Sequence, residues 1–391
     1  MTLPTTPNTG WTPSAASLPE LVLPAYDSST LADLMPSIGA HQRVPGCDHD
    51  ALRLPEADRY VVVLIDGLGW HLVRRSIRRA PYLASLLGDA AAITAGVPST
   101  TVTSLTSLGT GLPPGQHGMV GYTSRVPSTG EILNALTWES DLVARAFQTK
   151  PTLFERARDA GVAVSSVGLE RFKDSGLTEA ALRGAEFVGF QSEQAEDLRI
   201  DLVVDAAQRG ERSLVYAYER ELDHCGHVQG SESVTWLEHL TRIDAMCERL
   251  RDALPDDVTM IVTGDHGMVD ISPDHHVIAE DHPELMAGVS ALAGEGRFRH
   301  LYVDHDRPTR VAQRWRDRLG EQAWIRTRDE AIDEGWFGPV DDSLRERYGH
   351  VLVAMRDQSA VMTRQLPREL SLVGMHGSLT PAEMMVPLFI D

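Results

Sequence analysis

Three cysteines in 391 residues, Cys47, Cys225 and Cys247, are too few and too scattered for a disulfide framework, and no CxxC pair occurs. A reducing compartment is the expectation. Basic residues are also in short supply. With 36 Lys and Arg against 56 Asp and Glu, the formal charge is −20, which excludes bulk electrostatic binding of a nucleic-acid polymer or an anionic membrane. No apolar run is long enough to cross a bilayer. The first twenty residues, MTLPTTPNTGWTPSAASLPE, lack the basic and apolar regions of a secretory signal. These absences predict a cytoplasmic protein with no membrane partner.

What is present is enough hydrophobic sequence, 42%, to bury a sizeable core. Residues 1–57 are rich in Pro, Ser and Thr and read as an N-terminal arm. From residue 60 a rhythm begins. YVVVLI (60–65) is a continuous β-branched run of the kind found in buried parallel strands. AAAITAG (90–96), AVSSVGL (163–169), SLVYAYE (213–219) and TMIVTG (259–264) repeat the type, with helical segments at about 151–160, 195–209 and 232–253 between them. Pro151 suits the first position of the earliest of these helices. Strand alternating with helix predicts an α/β fold, a doubly wound, mostly parallel sheet with helices on both faces. Residues 275–370 break the rhythm, with strand-like RHLYVDH and HVLVAMR, one helix near 307–319 and the segment EGWFGPVDD. They are expected to form an inserted cap subdomain. The α/β core then comprises 58–274 and 371–391.

Acids and histidines cluster immediately after the predicted strands. IDGLG carries Asp66, YERELDHCGH carries Asp223 and His227, and TGDHGM carries Asp265 and His266. MHGS, with His376, precedes the last strand. In an open parallel sheet, ligands gather outside the carboxyl ends of the strands, so these distant loops converge. A single Asp after a strand is often only a helix cap, and a lone His is more often structural than a ligand. Two ligand-type side chains between glycines in GDHG are harder to explain by packing. A mixed His and carboxylate set suits zinc better than calcium or magnesium. Cys225, His224, His275 and His276 lie near these groups and are read as bystanders.

Seven of the nine residues from Ser99 to Ser107 carry hydroxyls. The segment PSTTVTSLTS should turn after a strand and enter a helix. A helix N-terminus suits a phosphoryl group, and a hydroxyl held there beside divalent cations would be a nucleophile. The structural alternative is that Ser99 or Thr100 caps the helix while the remaining hydroxyls solvate it or bond back to its carbonyls. These residues alone do not choose among the hydroxyls.

In order and spacing, IDGLG, PSTTVTSLTSLGTGLPPGQHGMVGY, YERELDHCGH, TGDHGM and MHGS resemble the alkaline phosphatase superfamily, and within it the nucleotide pyrophosphatase/phosphodiesterase family, over residues 58–391. The resemblance implies two zinc ions per chain, with manganese an acceptable substitute. One would be held by Asp223, His227 and His376, the other by Asp66, Asp265 and His266 beside a nucleophilic threonine. That nucleophile lies three residues after the motif's proline, which from Pro98 is Thr101. The family's phosphoryl-contacting asparagine falls at Ser104 here, giving a shorter substrate-binding side chain. The implied reaction proceeds through a phospho-threonine intermediate on a small-molecule phosphoester, a nucleotide type.

Two zincs bring four positive charges and Asp66, Asp223 and Asp265 three negative, leaving about one, which suits a monoanionic diester or pyrophosphate bond better than a dianionic monoester. A phosphomonoesterase or phosphonoacetate hydrolase of the same superfamily is the nearest alternative. A phosphoglycerate mutase would use serine and manganese, and PSTTVTS lacks the sulfatase motif. From a different class, a catalytically silent binding protein could keep the fold, although all six ligand positions are filled.

Overall fold

The computed structural model describes residues 21–304 and 306–391. Its principal strands are β1 (Arg59–Ile65), β2 (Ala91–Thr94), β3 (Ala163–Leu169), β4 (Glu186–Phe190), β5 (Ser213–Glu219), β6 (Val258–Gly264), β7 (Val289–Glu295), β8 (Phe298–Val303), β9 (Ala323–Thr327), β10 (Val351–Met355) and β11 (Met385–Ile390). Five helices matter below: α1 (Leu34–His41), α2 (Thr101–Thr110), α3 (Glu221–Gln229), α4 (Val234–Ala253) and α5 (Pro308–Leu319).

Seven strands form the central sheet in the order β2-β11-β6-β1-β5-β3-β4. β1 pairs in parallel with β5 and β6, and β3 with β4 and β5. The closing strand β11 alone runs against its neighbours, β2 and β6. The β1 run is apolar throughout because both its faces are covered. Val61, Val63 and Ile65 pack with Trp236, Leu240 and Ile243 of α4. Tyr60, Val62 and Leu64 pack with Leu105 and Leu108 of α2 and Leu34 and Ile38 of α1. Each such side chain contributes about 1.5–3 kcal/mol of burial. This is the α/β arrangement expected, with helices on both faces.

Local departures have local causes. The helix expected near 151–160 spans Leu153–Asp159 and starts from Thr152, not with Pro151 in its first turn. The Thr152 hydroxyl accepts the Glu155 N–H at 3.0 Å and the Glu155 carboxylate accepts the Thr152 N–H at 3.1 Å, a capping box that outcompetes a proline start. β4 had no predicted counterpart. It is an edge strand only partly buried, so its apolar signal is weak. Of the N-terminal arm, residues 1–20 lie outside the described residues, and α1 is packed into the sheet core rather than resting on the surface.

A second, antiparallel sheet of four strands, β7-β8-β10-β9, occupies part of the 275–370 stretch. Trp315 of α5 packs with Leu301, Ile325 and Val353 on one face of it. On the other face Phe298 and Leu352 share a core with Val97, Leu379 and Met384 from the loops around the first sheet. The second sheet is therefore built against the loops that carry the chemistry.

Candidate active site

Three neighbouring strands explain why distant residues meet. β6, β1 and β5 are adjacent, and each leads into site residues. Asp66 follows β1, Asp265 and His266 follow β6, and α3 after β5 carries Asp223 and His227. His376 arrives on the turn before β11. Gly67 has φ +73°, and a Cβ there would lie 3.0 Å from the Asp223 Cβ. Its bare backbone lets the two loops touch, and its N–H donates to Asp265 Oδ1 at 3.0 Å.

The six predicted ligand residues form two adjoining groups. In the first, His227 Nε2 lies 3.3 Å from Asp223 Oδ2 and 3.3 Å from His376 Nε2, with His376 Nε2 3.9 Å from Asp223 Oδ1. In the second, His266 Nε2 lies 3.5 Å from Asp66 Oδ1 and 3.4 Å from Asp265 Oδ2. The rings of His266 and His376 stack at 3.6 Å between centroids, so His266 also comes within ligand reach of Asp223.

The histidines are oriented by their other nitrogens. Nδ1 of His227 lies 2.7 Å from the Gly374 carbonyl, Nδ1 of His266 2.9 Å from that of Gly267, and Nδ1 of His376 3.1 Å from that of Ser99. A carbonyl can only accept, so each Nδ1 carries the proton and each Nε2 presents a lone pair inward. Asp223 Oδ1 and Asp265 Oδ2 are buried with no hydrogen-bond partner. Lone pairs from three imidazoles and two orphaned carboxylate oxygens aimed at common points fit divalent cations, and this donor set fits zinc.

Electrostatics agree. Burial, then the charges of Asp265 and Asp223, push the Asp66 carboxyl well above the usual range, and burial raises Asp265 as well. Burial and the neighbouring His266 and His227 hold His376 well below the usual imidazole value. Clustered buried carboxylates are unfavourable unless a cation offsets them.

Among the seven hydroxyls of 99–107, six are fully buried and committed and one is not. Ser99 Oγ donates to the Ser378 carbonyl at 2.6 Å and Thr103 Oγ1 to that of Met119 at 3.3 Å. Thr106 Oγ1 bonds back to the Val102 carbonyl at 2.7 Å, Ser107 Oγ meets His117 Nε2 at 3.0 Å, and the Thr100 hydroxyl faces Glu295. Thr100 holds the N-cap position of α2 by backbone, yet its side chain makes no capping bond. Thr101 is the first helical residue and only half-buried. Its Oγ1 lies 3.2 Å from His266 Nε2 and 3.5 Å from Asp66 Oδ1.

Ser104 differs from the expectation. It is fully buried, it does not line the cavity, and its hydroxyl donates to the Asp265 carbonyl at 2.6 Å. That bond secures the Asp265 loop, and its donor proton is not available to a substrate. The bystanders are largely that. Cys225 is buried in the sheet core, while His224 lies on the cavity wall. Two contributors were missed. Tyr218 donates from its hydroxyl to Asp66 Oδ2, and Glu295 approaches His376 Nδ1 at 3.6 Å. Tyr218 could have been found from SLVYAYE, where it sits two residues from Tyr216 on one strand face and just ahead of the acid loop. Glu295 is the last residue of β7, just before a hairpin turn, and leaves no sequence signal.

Beyond Thr101 opens a cavity of about 590 Å³, walled by Tyr122, Phe172, Tyr218, Arg171, Arg368 and the acids and histidines above. Neither Arg171 nor Arg368 has an ion-pair partner among the described residues, although Arg171 lies over the Phe172 ring.

Residues 60–379 match the family model of type I phosphodiesterase/nucleotide pyrophosphatase. Among solved structures, murine ectonucleotide pyrophosphatase/phosphodiesterase 5 superposes with a TM-score of 0.68 at 15% identity, covering 84% of this chain and 87% of that one. An inactive Thr-to-Ala variant of the same murine protein in complex with AMP gives 0.67 at 15% identity, with coverage of 84% and 87%. Phosphonoacetate hydrolase from Sinorhizobium meliloti 1021 in complex with phosphonoformate gives 0.66 at 20%, covering 87% and 92%. Human GPI ethanolamine phosphate transferase 3, catalytic subunit, is 26% identical over 147 residues, 36% of this chain, and the match spans 13% of that relative's length. No helix among the described residues is long and apolar enough to cross a membrane. The chain belongs to the type I phosphodiesterase/nucleotide pyrophosphatase family of the alkaline phosphatase superfamily.

Proposed function

We propose that this protein is a zinc-dependent phosphodiesterase that hydrolyses nucleotide-type phosphodiester or pyrophosphate bonds, with Thr101 as nucleophile. The carrying observation is the position of Thr101 Oγ1. It stands at the start of α2, 3.2 Å from His266 Nε2 and 3.5 Å from Asp66 Oδ1, facing the cavity. Asp223, His227 and His376 would hold one zinc, and Asp66, Asp265 and His266 the other. The ions would offset the three carboxylates and lower the pKa of the hydroxyl and of water.

Thr101 gives up its hydroxyl proton to solvent as Oγ1 bonds to phosphorus and the bond from phosphorus to the leaving oxygen breaks, and the departing alcohol or phosphate takes a proton from solvent. Uncapped amides at the start of α2 receive a non-bridging phosphoryl oxygen. Water then cleaves the phospho-threonine, returning the hydroxyl to Thr101. Tyr218 and Ser104 keep Asp66 and the Asp265 loop in place throughout. Aromatic rings and Arg171 and Arg368 leave room and charge for the organic remainder of the substrate.

Substrate ranking tests this reading. Bis-p-nitrophenyl phosphate is expected to be cleaved with kcat/KM at least about tenfold above p-nitrophenyl phosphate, a 1.4 kcal/mol preference. The reverse ranking would identify a monoesterase, and turnover of phosphonoacetate alone a phosphonate hydrolase.

Metal binding should depend on pH with a definite sign. Asp66 and Asp265 hold protons in the cation-free fold beyond the pH at which the unfolded chain releases them. Their contribution to cation-free stability is thus full at low pH and lost as pH rises through the raised values. Zinc must displace those protons, whereas His376, with its depressed value, adds no competing proton. Zinc affinity by chelator competition is therefore expected to be at least about tenfold tighter at pH 8 than at pH 6. Equal affinities at the two pH values would contradict the electrostatic account.

A further inference from the structure

Glu295 ends β7 at the tip of the β7–β8 hairpin, and that tip is held firmly. Arg297 pairs with Glu383, Arg299 bonds Glu369, and Thr123 Oγ1 donates to the Gly294 carbonyl at 2.8 Å. So fixed, Glu295 Oε2 lies 3.6 Å from His376 Nδ1, next to the Ser99 carbonyl that the same nitrogen faces at 3.1 Å. The Glu295 side chain is 12% exposed, the Thr100 hydroxyl faces its carboxyl group, and its Oε1 is buried without a hydrogen-bond partner. No Lys or Arg forms an ion pair with it among the described residues, since the nearby Arg299 is engaged by Glu369. The neighbouring chain makes room for it. Gly377 has φ +124°, and a Cβ there would come 2.9 Å from Glu295 Cγ. A residue with any side chain at 377 would displace the carboxylate.

Packing alone does not favour a carboxylate here, where its unpaired oxygen costs desolvation energy. An imidazole that ligates a cation through Nε2 commonly directs its other N–H at a carboxylate or carbonyl, which fixes the ring and enriches the ligating nitrogen. We infer that Glu295 is a positioning residue for His376, sharing the Nδ1–H with the Ser99 carbonyl and strengthening the Asp223, His227 and His376 group toward its divalent cation. The second sheet thus supplies part of the metal centre as well as a wall of the cavity. This rests on the reading that the first group binds zinc.

The test is zinc binding without substrate, measured by chelator competition on the full chain. Wild type is expected to bind two ions. Glu295→Gln should weaken one of them by about 10–100-fold and leave the other unchanged. Glu295→Asp, which keeps the charge on a shorter stem, should recover part of the loss, as a merely space-filling role would not. If wild type binds two ions and Glu295→Gln leaves both affinities within about twofold, the positioning role is overturned while the function stands. If wild type binds none, both fall together. Should Glu295→Gln fail to fold, a cobalt(II) titration of Glu295→Asp decides. A first-group affinity and visible spectrum matching wild type would overturn the role, and a weakened, shifted site would support it.

Discussion

Thr101→Ala is expected to lower turnover of a diester by at least about 1,000-fold while leaving zinc stoichiometry and melting temperature near wild type. The prediction is specific because the other hydroxyls of the segment have structural work. Thr100→Ala and Thr103→Ala remove groups that are fully buried and should cost less than about tenfold in turnover, though each loses some stability. Thr101→Ser keeps an oxygen at the first position of α2 and should retain measurable activity. Thr100 also lines the cavity but is buried, whereas the half-exposed Thr101 Oγ1 is the hydroxyl of 99–107 that lies beside His266 and Asp66. A loss at Thr100 as large as that at Thr101 would overturn the assignment.

The second large effect is on stability. Arg297→Met is expected to destabilise the protein by about 3–5 kcal/mol, because it leaves a buried carboxylate unpaired. Arg297 and Glu383 are both fully buried and make a two-point contact at 3.0 and 2.7 Å. Glu383 also accepts the Ser378 N–H at 3.0 Å, and its backbone carbonyl accepts the Gly267 N–H at 2.8 Å. One residue, through its side chain and its backbone, therefore ties the hairpin, the His376 turn and the His266 loop together. For a chain this long the loss corresponds to a fall of about 4–6 °C in Tm. Replacing both partners, Arg297→Met with Glu383→Gln, should cost less than the sum of the single changes. Additive single costs, or a drop for Arg297→Met under about 1 °C, would show that the pair does not anchor these loops.

Much of the fold was legible along the chain. AVSSVGL and SLVYAYE are strands over the residues expected, because continuous β-branched runs between glycines and polar helices signal a strand covered on both faces. The edge strand β4 was not legible, since partial burial dilutes that signal. At the site, Asp66, Asp223, His227, Asp265, His266 and His376 could be read because acids and histidines after buried strands are unusual and short-range. Ser104 was misplaced for the opposite reason. A hydroxyl at one helical position can face solvent, substrate or a neighbouring carbonyl, and only the approach of the Asp265 loop selects the last.

By itself the sequence determined the strand order of chemistry along the chain, the ligand types and the hydroxyl-rich helix start, all properties of residues close together in it. Tertiary structure decided which hydroxyl remains free, which nitrogen of each histidine turns inward and that Tyr218 and Glu295 join the site. Those choices depend on contacts across as many as 279 residues, such as Ser99 with Ser378. Local propensity carries no information about such contacts, because they form only when the sheet places β6, β1 and β5 side by side.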